Sequence, residues 1–237
     1  MGLLQFLTLQ FIAHLLADFF FQTDKWVDAR QQDGIKSKYF WSHILLVFAL
    51  SWLLSFQWRF IGGALAITLL HAIIDWVKMR LNKTEKVSRY LFFFDQLLHL
   101  VVIFAVSGLY FRMCRTDSLF VISPYYTLIF AAFLFLAKPV NIIIREIFRL
   151  YHIQTVKNED ESDELPNAGK LIGNVERMLT LLFILTGHFE AVGFLLAAKS
   201  ILRFGDKDSL RSEYVLIGTL LSFGIAIVTG VIVGFLY

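Results

Sequence analysis

Three histidine–carboxylate pairs, each with a spacing of four residues, lie in apolar stretches of the first half of the sequence. They are His14/Asp18, His71/Asp75 and Asp95/His99, and His43 lies in a further apolar stretch between the first two pairs. Because residues four apart share one face of an α-helix, each pair presents an imidazole and a carboxylate in the same direction. These groups suit divalent transition metals, with Zn²⁺ expected first and Fe²⁺ or Mn²⁺ as alternatives.

The number of these polar groups argues against a passive role. An ionisable residue at the centre of a bilayer costs about 2.5–3.5 kcal/mol on insertion scales, so the seven groups must contact one another, water or a metal. We expect one or two ions, with a His/Asp/His set from each copy of a sequence repeat and Asp95 bridging or acting as general base. The alternative is interhelical hydrogen bonding, in which each aspartate orients the histidine one turn away. The expected metal ligands are His14, Asp18, His43, His71, Asp75 and His99.

The stretches that carry these residues form two copies of a two-helix unit. His14-Leu-Leu-Ala-Asp18-Phe matches His71-Ala-Ile-Ile-Asp75-Trp, and each is followed by a basic loop and an aromatic entry to the next apolar stretch. Asp18 and His43 are 25 residues apart, and the corresponding distance in the second copy is 24. A two-helix unit returns the chain to its starting side, so we expect the copies to be related by an axis along the membrane normal.

A second polar set lies in the latter half of the chain. Glu176 and either Lys199 or Arg177 are expected to form a structural ion pair. Alternatively, the basic members bind an anionic headgroup or phosphate, as basic pockets between helices do. The expected substrate-binding residues are Asn174, Glu176, Arg177, Lys199 and Arg203. Lys138 and Pro139 predict a kinked helix end.

Composition indicates a membrane protein. Hydrophobic residues make up 57% of the 237 positions and the mean hydropathy is +0.66, against roughly 45–50% apolar residues in soluble domains. We predict an all-α polytopic transmembrane bundle, because a spanning helix needs about 20 apolar residues and satisfies its own backbone. The single Cys114 excludes an intramolecular disulfide and a Cys-rich metal site. About eight spans are predicted, at 3–22, 40–57, 60–78, 90–111, 124–143, 170–187, 189–204 and 214–236. Gly187 and His188 predict a tight hairpin or a re-entrant element between the sixth and seventh.

The distribution of basic residues predicts the topology. Alternate loops carry 16 Lys and Arg on one side and three on the other, so the richer side is expected to be cytoplasmic and both termini non-cytoplasmic. We expect a single transmembrane domain over 1–237. It has a His/Asp-bearing half at 1–111 and a second half at 124–237 with an acidic cytoplasmic loop at 150–169. The basic residues form no stripe, so nucleic acid binding has no support.

Three segments of the sequence resemble the bacterial membrane family named domain of unknown function 3307. They are His14-Leu-Leu-Ala-Asp-Phe-Phe-Phe-Gln-Thr-Asp24-Lys, Gly169-Lys-Leu-Ile-Gly-Asn-Val-Glu-Arg177 and Ala197-Ala-Lys-Ser-Ile-Leu-Arg-Phe204. The resemblance covers most of the chain and implies a multi-pass protein of the bacterial inner membrane. More weakly, His71-x-x-x-Asp75 in an apolar span resembles the membrane-bound metal-dependent hydrolases of bacteria, whose paired His-x-x-x-His-Ser motif is absent here.

We expect a membrane-embedded metal-dependent hydrolase that acts on a lipid or lipid-phosphate at the cytoplasmic leaflet. The metal would lower the pKa of a bound water toward about 7, with Asp95 as base and Arg177 and Lys199 contacting the headgroup. A proton or metal-ion transporter is the second hypothesis, and the nearly apolar outer halves of the spans count against it. The third is a non-enzymatic membrane subunit whose acidic loop docks a cytoplasmic protein, which requires the cluster to tolerate alanine substitution.

Overall fold

The computed structural model describes residues 1–82, 85–114, 122–153, 168–201 and 209–236. Within these ranges the chain is helical and contains no strand, as predicted. The helices are α1 (Leu3–Leu15), α2 (Asp24–Asp33), α3 (Lys38–Leu54), α4 (Ile61–Leu81), α5 (Glu85–Met113), α6 (Pro124–Ala137), α7 (Pro139–Leu150), α8 (Ala168–Leu185), α9 (Phe189–Ile201) and α10 (Ser209–Phe235). A π-helical segment at Leu16–Phe21 continues α1, and short 3-10 turns at Gly34–Lys36 and Trp58–Phe60 precede α3 and α4.

The chain divides into two compact units, Met1–Ala131 and Ala132–Tyr237. In the first unit α1 packs against α3 and α5, and α4 packs against the same two helices. The four helices therefore form a ring in which α1 is opposite α4 and α3 is opposite α5. This is the order expected of two α-helical hairpins related by an axis along the bundle, as the sequence repeat suggests.

An apolar core closes one end of this ring. Phe6, Phe60, Ala64, Ile67 and Ile103 are buried together, with Phe6 and Phe60 in edge-to-face contact at a centroid distance of 4.9 Å. Such aromatic packing adds about 0.5–1.5 kcal/mol beyond area burial. The polar residues therefore occur further along the same helix faces, toward the opposite end of the ring.

The second unit is built on α10, which packs against α7 and α8. Its buried contacts include Ile184, Val192 and Phe223 from α8, α9 and α10. The helix α8 ends at Gly187, whose φ of +78° is accessible to glycine at little cost. His188 N donates to Phe183 O at 2.8 Å and Gly187 N donates to Ile184 O at 3.1 Å, which is the Schellman pattern of helix termination. A tight turn at Gly187 and His188 therefore joins α8 and α9, as both of the predicted arrangements, a hairpin or a re-entrant element, require.

The predicted count of eight spans is not confirmed. Among the described residues, four helical segments are long and apolar enough to cross a membrane: Leu3–Phe21, Trp58–Leu81, Tyr90–Met113 and Glu213–Leu236. Two bent pairs raise the count to six if each is one span. They are Asp24–Lys36 with Lys38–Leu54, bent by 102°, and Pro124–Ala137 with Pro139–Leu150, bent by 42°.

The helices α8 and α9 account for the remaining difference. The 18 residues of α8 include three charged side chains, at Lys170, Glu176 and Arg177, and α9 has only 13 residues. A helix of 13 residues is about 20 Å long and is shorter than the roughly 30 Å hydrocarbon layer. The kink predicted at Lys138 and Pro139 is present, with Pro139 at the first position of α7, where it loses no hydrogen bond.

Candidate metal centre

All seven of the predicted His and Asp residues converge inside the ring of the first unit. The helix α1 and its π-helical extension carry His14 and Asp18, α3 carries His43, α4 carries His71 and Asp75, and α5 carries Asp95 and His99. Six of these residues are at most 8% exposed, and the side chain of Asp18 is 10% exposed. A spacing of four on each helix faces these groups inward, as the sequence predicted.

The π-helical segment changes how Asp18 is presented. It begins at Leu16, two residues before Asp18, and a π-turn widens the helix and rotates the residues that follow it. Asp18 Oδ2 lies 3.7 Å from His14 Nδ1, while Asp18 Oδ1 lies 3.6 Å from His43 Nε2 and 3.7 Å from His71 Nε2. The two oxygens of one carboxylate therefore face different histidines.

Two histidine nitrogens on α3 and α4 each lie close to one oxygen of Asp18 and one oxygen of Asp75. His43 Nε2 and His71 Nε2 are 3.0 Å apart, and Asp75 Oδ2 lies 3.7 Å from each of them. Asp18 Oδ1 lies at a similar distance from both nitrogens. A tetrahedral ion with bonds of about 2.0–2.1 Å has ligand atoms about 3.3–3.4 Å apart. The five measured separations bracket that value.

His14 and His99 are near the remaining oxygens of the two aspartates. Their rings stack at a centroid distance of 5.5 Å, and His99 Nε2 is 3.9 Å from Asp75 Oδ1. Asp75 thus directs one oxygen to His43 and His71 and the other to His99, as Asp18 directs its second oxygen to His14. The structure pairs histidines from different copies of the repeat, whereas the sequence predicted a His/Asp/His set within each copy.

Asp95 belongs to a hydrogen-bonded network that orients the histidines. Its Oδ2 accepts from Lys78 Nζ at 2.6 Å and from Gln96 Nε2 at 3.1 Å. Gln96 Oε1 then faces His14 Nε2 at 3.3 Å, so that nitrogen donates and His14 Nδ1 presents its lone pair toward Asp18. His99 Nδ1 donates to the backbone oxygen of Asp95 at 2.7 Å, which leaves Nε2 facing the cluster. Partners of this kind fix the tautomer of metal-binding histidines.

Several atoms of the cluster have no hydrogen-bond partner among the described residues. They are Asp18 Oδ1, Asp95 Oδ1, His43 Nδ1 and His99 Nε2. A buried polar group without a partner costs about 1–3 kcal/mol. Asp18 Oδ1 and His99 Nε2 are acceptors that point into the cluster, and a bound cation would satisfy both. Two further groupings, His14/Asp18/His71 and Asp75/Asp95/His99, also hold their ligand atoms within 4.8 Å of one another.

A small cavity of about 10 Å³ adjoins the cluster on the side toward the apolar core. This is room for about one water molecule. His14, Asp18 and His71 line it together with Gln10 and Ser51, and Ser51 Oγ donates to Gln10 Oε1 at 2.6 Å. Gln10 and Ser51 are both buried. The helices are therefore less apolar between the cluster and the apolar core than the sequence suggested.

Four polar residues around the cluster were not among the site residues predicted from the sequence. Gln10 is four residues before His14 and Ser51 is eight residues after His43, so helical periodicity could have identified both. Lys78 follows Asp75 by three residues, which is also a same-face spacing. Arg30 Nη1 donates to Asp75 Oδ2 at 2.9 Å from α2, and no periodicity in the sequence marks it.

The second predicted set lies in the second unit. Lys199 Nζ donates to Glu176 Oε2, so the predicted structural ion pair is present. Arg177 is 2% exposed and donates to Leu136 O, Ser222 Oγ and the side-chain oxygens of Asn141 and Asn174. These contacts join α6, α7, α8 and α10 and favour a structural role. The predicted contact of Asn174, Arg177 and Lys199 with a headgroup stays a prediction. Arg203 and most of the predicted acidic loop lie outside the described residues.

The fold and the cluster define an all-helical protein with several candidate membrane spans and a buried His/Asp site in its first unit. The chain belongs to the family described as Protein of unknown function (DUF3307), whose model matches residues 6–129. The matched residues fall within the first unit and include all seven members of the cluster. No curated protein matches the chain, and no solved structure matches it.

Proposed function

We propose that the cluster binds a divalent transition metal and that the protein is a membrane-embedded, metal-dependent hydrolase of a lipid or lipid-phosphate. The observation that carries the proposal is that His43 Nε2 and His71 Nε2, 3.0 Å apart, each lie 3.6–3.7 Å from Asp18 Oδ1 and from Asp75 Oδ2. Two imidazoles and two carboxylates are a ligand set that Zn²⁺, Fe²⁺ and Mn²⁺ accept. A second ion would take His14 and His99, with the two aspartates bridging.

The chemistry follows from the ligands and the cavity. A bound ion lowers the pKa of a coordinated water toward about 7. Asp95 does not line the cavity beside Asp18 and His71, so we assign the reacting water to the side of the cluster that Asp75, Asp95 and His99 share. In ester hydrolysis the water oxygen bonds to the carbonyl carbon or phosphorus, the ester bond breaks, and the released alkoxide takes a proton. We assign Asp95 Oδ1 as the group that accepts and returns this proton, because Lys78 and Gln96 engage only Oδ2.

The proposal also places the cluster near the cytoplasmic leaflet of a bacterial inner membrane. The positive-inside rule supports this orientation, since α2 carries Lys25 and Arg30, the end of α4 carries Lys78 and Arg80, and two of these residues, Arg30 and Lys78, contact the cluster. The helix α2 has no buried residue and a strongly polar composition, which suits the membrane surface. A lipid substrate then reaches the ring laterally from this leaflet.

Metal analysis of the purified protein tests the proposal. Inductively coupled plasma mass spectrometry should find close to one or two transition-metal ions per chain in detergent-purified wild type. The double variant His43→Ala/His71→Ala should lose at least nine-tenths of the metal, because it removes two of the four convergent ligands. His188→Ala is the matched control, since His188 is exposed in the turn before α9. Wild type without bound metal, or a double variant with full occupancy, would refute the proposal.

A transporter is the second candidate, and the Gln10–Ser51 pair favours it. These residues extend the polar face by about one helical turn from the cluster toward the apolar core. Beyond them Phe6, Phe60 and Tyr110 pack together at centroid distances of 4.8–5.7 Å, which closes the path. Uptake of Zn²⁺ or protons into liposomes by wild type, abolished in His71→Ala and unaffected in His188→Ala, would favour transport over hydrolysis.

A further inference from the structure

Arg30 reaches the cluster from outside the ring of helices. It lies on α2, most of whose residues are charged or polar and none of which is buried. The chain turns by 102° between the α2 segment and α3, so α2 crosses the end of the ring. The Arg30 side chain is nevertheless only 13% exposed. Its burial comes from folding back over Asp75.

The contacts of Arg30 leave part of its guanidinium available. Nη1 donates to Asp75 Oδ2 at 2.9 Å, and the Gln22 side-chain amide lies against Nη2. Nε is buried and has no hydrogen-bond partner among the described residues. Asp75 Oδ2 is also the oxygen that faces His43 and His71. A metal held by those histidines would therefore compete with Arg30 for this oxygen and release Nη1.

Charge indicates the kind of ligand that such a guanidinium would bind. The described side chains of the cluster include three carboxylates, Asp18, Asp75 and Asp95, and two permanent cations, Arg30 and Lys78. With neutral imidazoles the formal charge is minus one, and a single divalent ion makes it plus one. An isolated excess of positive charge in a low-dielectric site is costly. An anion bound beside the metal would remove that excess.

We propose that Arg30 binds an oxyanion of the substrate, and that the substrate of the metal centre carries a phosphate group. The inference rests on the proposed function, since it places the phosphate beside a bound metal. Guanidinium donates two parallel hydrogen bonds to phosphate oxygens, a geometry that a lysine ammonium cannot provide. The parallel donors here would be Nε–H and the Nη2 hydrogen on the same edge, with the released Nη1 as a further donor. The position of α2 at the mouth of the ring lets the rest of the substrate lie outside.

Phosphate binding by the metal-loaded protein tests this role. Co²⁺-substituted protein in detergent micelles is titrated with inorganic phosphate, and binding is followed through the visible absorption of the metal. Arg30→Gln should weaken phosphate binding by about ten- to hundredfold, the loss expected for hydrogen bonds between charged groups. Arg80→Gln is the matched control, because Arg80 is exposed on α4, where it lies over the Trp76 ring. It should bind phosphate like wild type.

Two further measurements complete the experiment: the metal content of Arg30→Gln, and the binding of a lipid phosphate in place of inorganic phosphate. Arg30→Gln should hold the metal at least as tightly as wild type, because a competitor for Asp75 Oδ2 is gone. Short-chain phosphatidic acid that binds more tightly than inorganic phosphate, with the same dependence on Arg30, would identify a lipid headgroup as the source. Equal affinities would identify free phosphate or a soluble ester.

The outcomes separate the two proposals. Metal-loaded Arg30→Gln that binds phosphate as tightly as wild type would overturn the role of Arg30 and leave the metal centre intact. Loss of phosphate binding in Arg80→Gln to the same extent would also overturn it, because general surface charge would then explain the effect. Wild type that takes up no metal would overturn the proposed function and this inference together.

Discussion

Replacing either partner of the Lys78–Asp95 ion pair should destabilise the first unit to different extents. The Asp95 side chain is 3% exposed, so Lys78→Met would leave a buried carboxylate with Gln96 as its remaining hydrogen-bond donor. Removing the partner of a buried charge costs about 3–5 kcal/mol of stability. The Lys78 side chain is 35% exposed, so in Asp95→Asn the ammonium turns toward water. That variant should lose only about 1–2 kcal/mol, after allowance for solvent screening.

A double-mutant cycle measures the pair itself. The variant Lys78→Met/Asp95→Asn contains neither charge, and the amide oxygen at position 95 still accepts from Gln96. Its loss of stability should be smaller than the sum of the single losses by about 2 kcal/mol or more. Unfolding in detergent, driven by SDS and followed by tryptophan fluorescence, is the appropriate assay. All tryptophans belong to the first unit: Trp26, Trp41, Trp52, Trp58 and Trp76.

The result also bears on the proposed chemistry. Asp95→Asn should retain the metal and lose turnover, because the amide cannot accept a proton at neutral pH, whereas His71→Ala should lose metal and turnover together. Equal destabilisation by the two single variants, or strict additivity in the double variant, would refute the ion-pair reasoning. Loss of metal in Asp95→Asn as complete as in His71→Ala would make Asp95 a ligand instead of the base.

Two further predictions concern the second unit and the topology. Arg177→Met should lower the free energy of unfolding by on the order of 3 kcal/mol, because it removes the donor from acceptors on α6, α7 and α10, and Arg177→Lys should recover only part of this, since a lysine lacks the planar fork. Circular dichroism is the measurement, and unchanged stability in Arg177→Met would contradict the structural role. A reporter fused after Asp33 should be cytoplasmic, and a non-cytoplasmic signal there would overturn the proposed orientation.

The sequence was sufficient to predict the helical class and the members of the cluster. Both follow from local rules: apolar runs of about 20 residues predict spans, and a spacing of four puts a histidine and an aspartate on one face. The cost of burying ionisable groups in lipid then required that the seven residues meet. The count of spans was less secure, because α8 carries three charged residues and α9 has only 13 residues, so their stretches match the apolar pattern without the length or composition of a span.

The arrangement within the cluster was decided by the tertiary structure. The repeat suggested that His43 shares a site with His14, but α3 lies between α1 and α4 in the ring, and His43 Nε2 faces His71 on α4. The π-helical segment after α1 divides the two oxygens of Asp18 between different histidines, and a spacing of four does not predict that segment.

Of the two cations that complete the cluster, Arg30 was beyond the sequence. Both Arg30 and Lys78 lie in stretches whose basic residues the positive-inside rule already explains, and only Lys78 has a same-face spacing from Asp75. Arg30 reaches Asp75, 45 positions along the chain, because the chain turns sharply between α2 and α3. Periodicity records which residues share a helix face, whereas a contact of this kind depends on how separate helices are placed in space.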